Sequence, residues 1–185
     1  MTEINRDQMN KGEKIINEVM DAPDPCLFVV DISVSRETAA AICDYIAVRG
    51  KMKIWGGGSE AIAEGLNGQD RKQMERYLEE GITRSTHVLG LISPENPEPW
   101  WLSRLAELGT ATGVRLALLT LKGTSDEAAS NGTFEILRGI RSLNEYLFRL
   151  SPEVDQIIFN NPEYGGLMAH TAPNHPLDAY LDWEK

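Results

Sequence analysis

Basic residues, cysteine, histidine and long apolar runs are all scarce in this chain of 185 residues. Its 18 lysines and arginines face 28 acids, which leaves a net charge of −10. That balance argues against a protein that grips nucleic acid or an anionic membrane by bulk electrostatics. A small anionic ligand held by a few local groups remains open. The two cysteines, Cys26 and Cys43, form no CxxC and no metal spacing, so they read as buried free thiols of a reducing compartment. No apolar run approaches the ~18–20 residues that a membrane helix needs. The first residues, Met-Thr-Glu-Ile-Asn-Arg-Asp, lack the apolar centre of a secretory signal. The expectation is a soluble, cytoplasmic chain with neither nucleic acid nor membrane as partner.

The acidity is unevenly spread. Residues 1–25 carry six acids and three bases, and residues 151–185 carry six acids and one base. The middle, residues 26–150, holds 16 acids and 14 bases and is close to neutral. Solubility accounts for acidic ends. A length of 185 residues suits one domain, divided here into an amino-terminal helix and linker (1–25), a core (26–122) and a carboxy-terminal helix and extension packed on it (123–185).

Within the core, apolar runs of strand length alternate with amphipathic stretches. A short helix over 8–20 is stopped by Asp21-Ala-Pro-Asp-Pro25. Cys26–Val30 is continuously apolar, as strands covered on both faces are. Ser35 is a suitable N-cap for a helix over 36–48 with Ala39, Ile42, Cys43 and Ile46 on its inner face. A shorter strand at 51–55 precedes Gly56-Gly57-Gly58. A helix over 69–84, a strand over 87–92, a helix over 100–112 and a strand over 114–121 follow. A helix is expected at 133–150 and a short strand at 156–159. This cadence predicts an α/β fold, a parallel sheet flanked by helices in three layers of flavodoxin-like type. Such sheets hold ligands at the carboxyl ends of their strands, which directs attention to the loops after Val30, Trp55 and Ile92.

Three features in or near those loops carry chemistry. The triple glycine 56–58 would let backbone N–H groups approach a phosphate, although neither GxGxxG nor GxxxxGK[ST] is present; a loop without a ligand is the plainer reading. On the 100–112 helix, Trp101, Leu105 and Leu108 form a core stripe, while Trp100, Arg104, Glu107 and Ala111 share another face. Arg104 and Glu107 there form either an exposed i,i+3 pair or the mouth of a cleft. His170 and His175 stand near Asp178, but the proline between them prevents regular helical spacing, and no metal is expected. GxSxG and HExxH are both missing.

The order of these elements resembles the Toll/interleukin-1 receptor (TIR) domain family, in its bacterial form. Leu27-Phe-Val-Val-Asp-Ile-Ser-Val-Ser35 is similar to the family's first strand and its Ile-Ser-x-Ser stretch. Lys53-Ile-Trp55 and the loop after it resemble the second strand and BB loop. Glu80 to Pro94 resembles a helix ending in Ile-x-x-Ser followed by a strand ending in Ser-Pro. Trp101 with Glu107-Leu108 resembles the Trp-x-x-x-Glu helix, with the departure that Trp101 plus four is Leu105 and Trp100 plus four is Arg104.

The resemblance implies an enzyme that consumes NAD+ by cleaving the nicotinamide N-glycosidic bond, through hydrolysis or formation of a cyclic ADP-ribose-type signal, in bacterial antiphage or immune signalling. It implies Glu107 as the catalytic carboxylate. Ser33, Ser35, Arg36, Trp55, Gly57, Gly58, Trp100 and Arg104 are the substrate-binding candidates, with the tryptophans able to stack on nicotinamide or adenine. NAD+ would be the substrate, no cofactor is expected, and self-association through TIR surfaces would be. Two other readings stay open. One is a non-catalytic TIR interaction module. The other is a nucleoside 2-deoxyribosyltransferase-like enzyme, because Ala106-Glu-Leu-Gly-Thr-Ala-Thr-Gly113 resembles that family's Glu-x-Gly-x-Ala segment.

Overall fold

The structure is a computed structural model that describes residues 25–50, 52–56, 71–97, 99–125, 132–150 and 175–183. Five parallel strands form one sheet: β1 (Cys26–Val30), β2 (Lys53–Gly56), β3 (His87–Ile92), β4 (Arg115–Thr120) and β5 (Glu135–Leu137), in the order β2-β1-β3-β4-β5. The helices are α1 (Arg36–Gly50), α2 (Arg71–Arg84), α3 (Trp101–Thr112) and α4 (Ile140–Leu150). The α/β three-layer arrangement expected from the alternation of elements is therefore present.

Residue alternation along the strands divides the core in two. Leu27 and Val29 of β1 point to the face covered by α1 and α4, where Ile42, Ile46, Leu143 and Leu147 meet them. Phe28 and Val30 point the other way, toward Leu78 and Ile82 of α2 and Trp101 and Leu105 of α3. Because both faces are covered, β1 and β3 are apolar almost throughout. Ser35 caps α1 as expected: its Oγ accepts the Thr38 N–H at 3.2 Å, and its carbonyl accepts the Ala39 N–H at 3.0 Å. At the end of α3, Gly113 adopts φ +74° and donates its N–H to the Gly109 carbonyl at 2.8 Å, closing the helix in the left-handed conformation that glycine tolerates.

Two expectations need correction. The stretch 133–150 is not one helix: Glu135–Leu137 pairs with β4 as β5, and the helix begins only at Ile140. The exposed edge of β4 takes up the backbone of 135–137 in the register Ala117↔Glu135 to Leu119↔Leu137. Ser142 Oγ then accepts the N–H groups of Arg138 (2.8 Å) and Gly139 (3.1 Å), starting α4. Cys26 is only half-buried, since it opens β1 at the amino edge of the sheet, whereas Cys43 is buried. Burial, followed by the Asp31 and Asp44 carboxylates, pushes the Cys43 thiol up to about 12, so this thiol is chemically quiet. The expected helix over 8–20 and strand over 156–159 lie outside the described residues. Among the described residues no helix is long and apolar enough to cross a membrane.

Candidate functional site at the carboxyl edge of the sheet

The chain leaves β1 for β2 on one side and enters β3 on the other, so the strand order reverses between β1 and β3. A crevice opens at such a reversal, outside the carboxyl ends of the two strands, and it is where sheets of this kind hold ligands. The residues there come from two loops: Asp31–Ser35 after β1, and Ser93–Trp100 after β3.

Those loops are fastened to each other through Ser33. Its carbonyl accepts the Ser93 hydroxyl at 3.0 Å. Its own Oγ accepts the Trp101 indole N–H at 2.9 Å and the Asn96 amide at 3.4 Å. A hydroxyl that accepts twice still has its O–H to donate, and Ser33 can offer that to a ligand. The Trp101 ring is fully buried, so its N–H requires this partner. Behind the crevice, the turn after β4 is held to β3, with the Leu121 N–H (2.8 Å) and the Thr124 hydroxyl (3.3 Å) both donating to the Ile92 carbonyl. Asp31, at the end of β1, is 96% buried in this rim and accepts the Val34 N–H on its main-chain carbonyl at 3.1 Å.

Replacing Ser33 by alanine is expected to destabilise the domain by about 1–2 kcal/mol, because the buried indole N–H loses its nearest acceptor. Urea denaturation of the variant measures this. A change under a few tenths of a kcal/mol would mean that the Ser33 hydroxyl adds little to the packing and the Ser93–carbonyl bond that also join the loops.

The other sequence candidates are dispersed. Ser35 is occupied in capping α1, and Arg36 is exposed on the first turn of that helix. Trp55 lies half-buried in an aromatic cluster, 4.8 Å from the Phe28 ring and stacked on Tyr77 at 5.2 Å. Gly56, with φ +78°, belongs to the same wall: a Cβ there would come within 2.6 Å of the Tyr77 hydroxyl and 2.7 Å of the Val29 carbonyl. Gly57 and Gly58 lie outside the described residues. Trp100 is partly exposed beneath the Arg71 guanidinium, 5.0 Å from the ring centre.

Glu107 is kept apart from the crevice. Six residues beyond Trp101, it lies roughly 9 Å further along the helix axis. Gly109, two residues on, already packs on Leu116 near the amino end of β4. The Glu107 side chain is 67% exposed and pairs with Arg104 at 3.2 Å, while the same guanidinium reaches Glu79 of α2 at 2.7 Å. Hydrogen bonds to Glu79 and then Glu107 push the Arg104 guanidinium above its ordinary value. The exposed i,i+3 pair is thus formed, with an unforeseen link to α2. The core stripe is formed too: Trp101 and Leu105 are fully buried.

Sequence reasoning assigned Trp101 and Ser93 to packing and strand termination and passed over Asp31 as loop. The available signal was position, since Asp31 and Ser93 directly follow apolar strands and Trp101 opens the helix after β3. His175 and Asp178 belong to the 175–183 segment packed on the α1/α4 face, and His170 lies outside the described residues. Among the described residues, no group of three or more histidine, cysteine, aspartate or glutamate side chains could hold a metal ion. Comparison of the chain with protein-family models, with curated proteins and with solved structures gives no match in any of the three.

Proposed function

We infer that this chain is a TIR-like α/β domain that binds NAD+ or a related nucleotide at the carboxyl edge of its sheet and cleaves the nicotinamide N-glycosidic bond. The observation that supports this is the meeting of Ser33, Ser93 and Trp101. These residues come from three of the four segments that resemble TIR domains, and their hydrogen bonds join them at the β1/β3 reversal. Loss of nicotinamide leaves an oxocarbenium-like ribosyl centre, which a nearby carboxylate stabilises. Water then completes hydrolysis, or an adenine nitrogen closes a cyclic product. Asp31 stands at this edge and Glu107 does not, so Asp31 is the favoured carboxylate, with Glu107 the carboxylate that the family resemblance implies. Ser33 would donate to the ribose or a phosphate. A cytoplasmic signalling role in antiphage defence, with self-association, follows from the same resemblance.

One observation favours a second reading, a TIR interaction module without catalysis: the Glu79–Arg104–Glu107 cluster links α2 to α3 at the surface. Incubating the purified chain with NAD+ over a range of protein concentrations and following nicotinamide release separates the two. Release is expected, falling about 100-fold or more in Asp31→Asn and changing little in Glu107→Gln. The reverse ranking would move the carboxylate to Glu107. Self-association with no release at any concentration would favour the module. Release of free base from deoxynucleosides but not from NAD+ would favour the deoxyribosyltransferase-like reading.

A further inference from the structure

The segment His175–Trp183 is bound to the sheet's α1/α4 face by elements far from it in sequence. Leu177 and Leu181 are buried among the residues of that face. The carbonyls of Asp182 and Trp183 accept the N–H groups of Ile140 (2.9 Å) and Arg141 (3.4 Å), first-turn amides of α4 that have no partner within the helix. The Tyr180 carbonyl accepts the Lys122 N–H at 2.8 Å, in the turn after β4.

His175 is the side-chain anchor, and its hydrogen bonds define one protonation state. The Leu177 N–H donates to Nδ1 at 3.1 Å, so Nδ1 carries a lone pair and the proton of the neutral ring is on Nε2. Nε2 is 3.2 Å from the Tyr45 hydroxyl on α1, and that hydroxyl donates onward to Asn144 Oδ1 on α4 at 2.6 Å. The ring also makes edge contacts with Tyr45 (5.0 Å) and Trp183 (5.7 Å). Each donor in this chain meets one acceptor only while the imidazole is neutral. A second proton, on Nδ1, would face the Leu177 N–H, and two donors would oppose each other.

We propose that protonation of His175 unlatches the 175–183 segment from α1 and from the turn after β4, making it a pH-sensitive strap. Among the described residues, the charged groups around it are these. Arg49 of α1 opposes protonation, and Asp178 within the segment, whose Oδ2 accepts the His175 main-chain N–H at 2.7 Å, favours it. Lys122 reaches the Asp178 carbonyl with Nζ at 3.2 Å, and Glu37 of α1 lies 3.5 Å from the Tyr180 hydroxyl. On α4, Arg141 pairs with Glu145. Burial of the ring, ahead of the opposing Asp178, holds the imidazole below its ordinary value of 6.5. The folded strap therefore takes up a proton less readily than the free segment. Its stabilisation is complete above about pH 6.5 and is lost as pH falls through the lower, folded value. The turn to which the strap is tied also holds the Ile92 carbonyl, so release reaches the rim of the β1/β3 crevice.

Amide hydrogen exchange of the whole chain, converted to protection factors, tests this at about pH 7.5 and about pH 5.0. The amides of Leu177, Tyr180, Lys122 and Ile140 are expected to lose about tenfold or more in protection at the lower pH, while those of β1 and β3 keep theirs. In His175→Gln, which cannot titrate, strap protection is expected to be the same at both pH values, whether high or low. Wild-type strap protection that survives at the lower pH would overturn the proposal, as would an equal pH step in His175→Gln.

Discussion

Replacing Trp101 by alanine is expected to destabilise the domain by about 3–5 kcal/mol, in the range measured for large aromatic truncations in cores. Three losses combine. The indole is fully buried among the side chains of β1, β3, β4, α2 and α3, so its removal leaves a cavity between sheet and helix. Gly90 of β3 is kept small for this ring, since a Cβ there would come within 2.9 Å of it. The hydrogen bond to Ser33 Oγ is also lost, which weakens the fastening of the loop after β1 to the loop after β3. Urea denaturation gives the magnitude, and an effect below about 1 kcal/mol would contradict this account of the core. Trp101→Phe separates the contributions: most of the packing remains and only the N–H is lost, so a cost of about 1–2 kcal/mol is expected. Combined with Ser33→Ala, it should cost clearly less than the two single changes added together, because both remove one shared contact.

Gly81→Val is expected to be nearly as damaging, at about 2–3 kcal/mol, although α2 would gain helix propensity from the change. Gly81 faces the fully buried Phe28 ring, and even a Cβ at this position would overlap that ring. Phe28 cannot easily yield. Trp55 lies against it at 4.8 Å and Tyr77 at 5.2 Å, and its own strand is central in the sheet. Relieving a glycine in a helix gains at most about 1 kcal/mol, whereas overpacking a rigid site costs about 1–3 kcal/mol and sometimes more. The clash should prevail. A Phe28→Leu change in the Gly81→Val background should recover part of the loss by emptying the contested volume. A neutral or stabilising Gly81→Val would show that α2 shifts freely away from the sheet.

The contrast between Glu107 and Asp31 shows what a local motif can and cannot convey. Glu107 stands out in the sequence because it follows paired tryptophans on an amphipathic stretch, and its helical face was readable from a spacing of ~3.6 residues per turn. How far along the helix it sits relative to the strand ends was not readable, since that depends on where α3 begins against the sheet. The fully buried Trp101, tied to Ser33, fixes that starting point and leaves Glu107 on the outer surface beside Glu79. Asp31 carries no motif. It gains its place only from standing where β1 ends beside β3.

The scarcities that mark this chain determined a good deal on their own. The scarcity of basic residues argued against broad nucleic-acid binding, and short apolar runs pointed to strands, since burial of both sheet faces demands continuous apolar segments. The inner faces of α1 and α3 and the cap at Ser35 were likewise legible, because periodicity and capping act within a few residues. Only the tertiary structure decided the strand order, the conversion of 135–137 into β5, the Ser33–Trp101 fastening and the strap held by His175 and Tyr45. Those contacts join residues 18 to 130 positions apart. Their energy depends on which surfaces the fold brings face to face, and no local pattern in the chain encodes that.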